Sequence, residues 1–111
     1  MNIISINDTL YNADLIYKID PIREHTGGYT YIIFFLDKRQ LRIWCDVYQM
    51  ALDEGLHWNW RQDHVDSDAI YVRLTKKVFQ LITEHRNKVY ELWSKSTSPY
   101  PRINVPYVNN D

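Results

Sequence analysis

A chain of 111 residues is enough for one domain that buries roughly two thirds of the surface its unfolded form exposes, so it can fold alone. Thirteen Lys and Arg against fourteen Asp and Glu exclude the basic excess of a nucleic-acid binder driven by net charge. The single cysteine, Cys45, excludes an intramolecular disulfide, and no apolar run approaches the length of a bilayer, so a soluble, cytoplasmic protein without a membrane partner is expected.

Residues 1–6 are apolar enough for a strand, and Asn7, Asp8, Asn12 and Asp14 then form a polar break suited to turns. Residues 15–22 alternate like a second strand, with Pro21 assigning it to a sheet edge because proline brings no donor to a ladder. His25, Thr26, Gly27 and Gly28 predict a turn, after which residues 29–36 are apolar on both faces, as in a central strand covered on both sides. Asp37 to Gln40 make a polar tip. Leu41, Ile43 and Cys45 against Arg42 and Trp44 then complete a hairpin.

Asp46 with Gln49 three residues on has the form of a capping box and predicts a short helix to Glu54, closed by Gly55. Leu56, Trp58 and Trp60 alternate with polar residues and read as a strand, Gln62 to Asp68 as a loop, and Ala69 to Leu74 as the returning strand. Thr75 is then the expected N-cap of a long helix. Val78, Leu81, Ile82, His85, Val89, Leu92 and Trp93 fall on one stripe of that helix, which needs a sheet to cover. The expected fold is α+β: an antiparallel sheet of about five strands packed against one long C-terminal helix, with a short helix after the central hairpin. Residues 1–98 form the domain, and 99–111, with Pro101 and Pro106, an extended tail.

No zincin, phosphate-loop, dinucleotide or nucleophile-elbow pattern is present, so neither an enzymatic activity nor a cofactor is indicated. His57 and His64 with Asp63, Asp66 and Asp68 are the residue types that hold a divalent ion, as a metal-dependent hydrolase would need, but the spacing fits an acidic solvated loop better. His85 lies in the apolar stripe and reads as a neutral core histidine, and nothing local pairs Cys45 with it or with His57 as thiol and base.

Nine Tyr and four Trp are more ring surface than such a core obviously needs. Phe79, Arg86, Tyr90 and Trp93 share an edge of the long helix and are the types enriched at binding hot spots. Charge is also segregated. From 46 to 68 six acids face Arg61 alone, and from 73 to 95 six bases face Glu84 and Glu91, with Lys76 and Lys77 in the expected first turn, where the helix dipole disfavours them. These features predict a non-catalytic factor that binds another protein or a second copy of itself, with Phe79, Arg86, Tyr90 and Trp93 as anchors and Lys76, Lys77 and the acidic loop steering encounter. The aromatic excess, the split charge and the lack of a catalytic signature suit an inhibitor or immunity factor, and richness in Asn, Ile, Tyr and Asp at this size a phage or mobile-element accessory protein. The alternative is a single-stranded nucleic-acid binder that uses the basic helix and Tyr29, Tyr31, Trp58 and Trp60 as stacking platforms.

Overall fold

The apolar run before the polar tip and the alternating run after it pair as a hairpin. In the computed structural model, which describes residues 2–94 and 102–110, β5 (Gly28–Phe35) and β6 (Gln40–Asp46) run antiparallel, from Gly28 opposite Asp46 to Phe34 opposite Gln40. β3 (Ile16–Ile19) and β4 (Arg23–His25) pair with the two ends of β5, and β8 (Asn109–Asn110) pairs with β6, making five strands. A second sheet has β1 (Ile3–Ile6) between β2 (Thr9–Asn12) and β7 (Arg102–Ile103), which runs parallel to β1. The tail thus supplies one strand to each sheet. It docks on its own chain.

Helices α1 (Val47–Asp53), α2 (Trp60–Asp63) and α3 (Ser67–Ser94) follow the hairpin. Asp46 caps α1 by accepting from the amides of Tyr48 and Gln49, and Gly55, at φ +89°, follows its end. Gln49 turns towards Asp53 and not back to the cap, so only half of a capping box forms. Leu74, Val78, Ile82, His85 and Val89 of α3 are buried against the sheet face of Tyr31, Ile33, Phe35, Leu41, Ile43 and Cys45.

Several expectations need correction. Ala69 to Leu74 is helix, because Ile70, Leu74, Val78 and Ile82 continue the apolar stripe at four-residue spacing and extend α3 back to Ser67. Thr75 is therefore mid-helix, its hydroxyl donating to the carbonyl of Tyr71, and Lys76 and Lys77 lie more than two turns from the helix start, clear of the dipole. Leu56 to Trp60 is no strand: turns send Trp60 into the core, 1% exposed, and leave Trp58 73% exposed, where alternation would have put both on one face. Residues 62–68 are not a continuous loop, since α2 runs to Asp63 and α3 begins at Ser67.

A further correction concerns β5, which α3 covers on one face only. Thr30, Ile32 and Phe34, with Arg42 and Trp44 of β6, point the other way and stay partly exposed. The smallest extent of the molecule, 18 Å, has no room for a third layer there, since each layer adds about 10 Å. A hairpin turn at Asn7 and Asp8, both at positive φ, produces the unexpected strand β2, while the strand expected over 15–22 ends at Ile19, and a separate short strand, β4, follows at Arg23–His25.

Gly28 is fixed by its neighbour. A Cβ there would lie on the carbonyl oxygen of Cys45, whereas one at Gly55 would meet nothing and cost only its left-handed φ. Gly28→Ala is therefore expected to lose about 3 kcal/mol in urea denaturation and Gly55→Ala about 1 kcal/mol. Equal midpoints for the two variants would refute this account of the hairpin.

Candidate protein-binding surface

Residues at seven- and four-residue spacing on α3 share one flank, and the structure gives Phe79, Arg86, Tyr90 and Trp93 two different jobs. The Arg86 guanidinium donates to the carbonyls of Asp20 (2.7 Å) and Ile19 (3.4 Å), and the Trp93 indole donates to the carbonyl of Ile16 (3.1 Å). Both fasten the helix to β3 and to Asp20, the residue that follows it. Phe79 and Tyr90 are the outward members, 47% and 50% exposed. Neither is loose. Phe79 meets Tyr29 edge-on at 5.0 Å, and Tyr90 stands perpendicular to Trp93 at 5.6 Å with the Arg86 guanidinium 5.7 Å from its ring.

Next to Tyr29 a cavity of about 490 Å³ opens between the β4–β5 turn and α3, lined by Glu24, Thr26, Tyr29, Val47, Tyr71 and Thr75. Lys76 is exposed in the same half of the helix, while Lys77 is half-buried with its ammonium 5.6 Å from the Tyr107 ring. Of the acidic segment, Asp68 pairs with Arg61 at 2.7 Å and Glu54 with Arg73 at 3.2 Å. His57 and Asp63 approach only to 4.0 Å, and among the described residues no three His, Cys, Asp or Glu side chains converge as metal ligands would, so His57, His64, Asp63, Asp66 and Asp68 do not form one site.

His85 is wholly buried, and its two ring nitrogens are taken. Asn7 Oδ1, which can only accept, lies 3.1 Å from Nε2, so Nε2 carries the proton and Nδ1 accepts from the Tyr31 hydroxyl at 2.6 Å. Asn7 in turn donates its side-chain amide to the carbonyl of Val108 and its backbone amide to that of Ile103. Burial, reinforced by the charge of Lys88, lowers the His85 pKa to about 4. This chain of bonds joins β5, α3, the β1–β2 turn and the tail. It leaves His85 no free nitrogen with which to serve Cys45, whose own thiol burial pushes up to about 11.

The uncovered sheet face is a surface the sequence does not announce. Its residues Tyr17, Ile32, Phe34, Arg42 and Trp44 had one signal in the sequence, the doubly apolar β5, which also fits a strand covered on both sides. The rings named for stacking fare differently: Tyr31 and Trp60 are core residues, and Tyr29 faces the helix.

Fold and surface together describe a small α+β protein with ring clusters on a helix flank and on an open sheet face. No protein-family model, curated protein or solved structure matches the chain. Among the described residues no helix is long and apolar enough to cross a membrane.

Proposed function

We propose that the protein acts by binding another protein through the flank of α3, with Phe79 and Tyr90 as anchors. The observation that carries this is their fixation: two rings about half exposed, each held by an aromatic neighbour, on a helix that Arg86 and Trp93 lock to the sheet. Rigid aromatic anchors gain contact area on binding with little loss of side-chain freedom. The cavity beside Tyr29 would take a partner side chain, and Lys76 with the acidic segment 53–68 would steer approach. An inhibitory, immunity or phage and mobile-element accessory role in the cytoplasm is the setting in which a small protein of this kind would work. A buried, unpaired Cys45 suits a reducing compartment.

The test uses Phe79→Ala with Tyr90→Ala, both at exposed positions, and compares capture by the immobilised wild-type and double-variant proteins. Loss of two anchors is expected to weaken a specific partner by at least about tenfold, with circular dichroism unchanged. Light scattering at several concentrations identifies the case in which the partner is a second copy. Capture and self-association that do not differ between the two proteins would remove the assignment.

A further inference from the structure

We propose that the uncovered face of the five-stranded sheet is a second binding surface, and that its ligand is single-stranded nucleic acid. The strand register assembles it. Lys18 lies opposite Phe34, Arg23 opposite Thr30, Thr30 opposite Trp44, and Ile32 opposite Arg42, so rings and cations from four strands share one side of the sheet. Phe34 is flanked by Tyr17 at 6.2 Å and has the Lys18 ammonium 5.0 Å from its ring. Trp44 walls a cavity of about 250 Å³ together with His25, Gly28, Arg42 and Asp46. Phe34 and Trp44 are four residues apart on neighbouring strands, which places the two stacking platforms roughly 14 Å from one another.

Charge selects the ligand. Lys18, Arg23 and Arg42 stand on this face against Asp46, one of whose carboxylate oxygens caps α1, and Asp20, which is buried and paired with Lys18 at 3.3 Å. The remaining acids of the segment 46–68 belong to α1, α2, α3 and their connections. Lys18, Arg23 and Arg42 against Asp20 and Asp46 leave these residues with an excess of one positive charge, whereas the chain as a whole is at −1. Flat rings interleaved with cations match unstacked bases on a phosphate backbone; a duplex hides its base faces, and an acidic peptide has no use for the rings.

The experiment is fluorescence anisotropy of a labelled single-stranded oligothymidine of about 12 nucleotides with the full chain. The expected result is binding at about 50 mM salt that weakens about sevenfold by about 200 mM, the dependence of roughly two phosphate contacts. Phe34→Ala and Trp44→Ala should each weaken it at least about fivefold. Arg23→Glu, at an exposed site where folding is not at risk, should weaken it as well, and Tyr90→Ala on the opposite layer should not. No binding at the lower salt overturns the proposal, as does binding indifferent to Trp44→Ala and Arg23→Glu, equal competition by a duplex, or a dimer that Trp44→Ala dissolves. Failure here leaves the helix flank untouched, because Phe79 and Tyr90 are read separately.

Discussion

Acidification from pH 6.5 to 4 is expected to remove about 3 kcal/mol of stability through His85 alone, and His85→Gln is expected to abolish that part of the loss. The folded-state value is depressed to about 4 from 6.5, so between these limits the unfolded chain takes up a proton that the folded one refuses. The contribution is therefore fully present above the unfolded value, declines as the pH falls, and is flat below 4. Carboxylates add their own acid sensitivity, which makes the difference between wild type and His85→Gln the quantity to measure, by urea denaturation at neutral and acidic pH. The variant should also be weaker at neutral pH by about 1–3 kcal/mol, since Tyr31 and Asn7 lose a well-placed partner. Parallel pH profiles for the two proteins would show that the buried imidazole is not what sets the acid limit.

A chain ended at residue 101 is expected not to fold. Ile103, Val105 and Val108 are 1%, 2% and 6% exposed, and the three together contribute on the order of 5–8 kcal/mol of apolar burial. The total stability of a domain is about 5–15 kcal/mol, so the loss is comparable with the whole. The same truncation strips Asn7 of both carbonyl acceptors and uncovers the edge of β6 at Ile43 and Trp44. Ile103→Ala, a milder change, should cost about 2–5 kcal/mol. A truncated protein with a cooperative transition at the wild-type midpoint would demote the tail to an ornament.

What could be read in the sequence was local. The β5–β6 hairpin follows from its polar tip and the period of two in β6, and the second half of α3 from a period of 3.6. Ala69 to Leu74 satisfies both periods, and only the continuation through Val78 and Ile82 decides between them. β2 could be missed because four residues with Leu10 outward give no core-facing pattern, although the Asn7–Asp8 turn was its one clue. The remaining gaps are matters of distance along the chain. Tyr31 and Asn7 are 54 and 78 residues from His85, and β7 pairs with a strand at the opposite end of the sequence. The anchors were legible as types at a spacing, but the division of labour, Arg86 and Trp93 fastening while Phe79 and Tyr90 project, depends on carbonyls of β3 that no helical pattern reveals.

A strand near the end of the chain that lies beside one near its start has a cost in time. Residue 102 must be made and must leave the ribosome before Ser5 finds its neighbour, so this sheet cannot form from its first strands as they emerge and must close a long loop to complete itself. Slow refolding, with one side of β1 left unpaired until β7 arrives, is the kinetic signature of this topology.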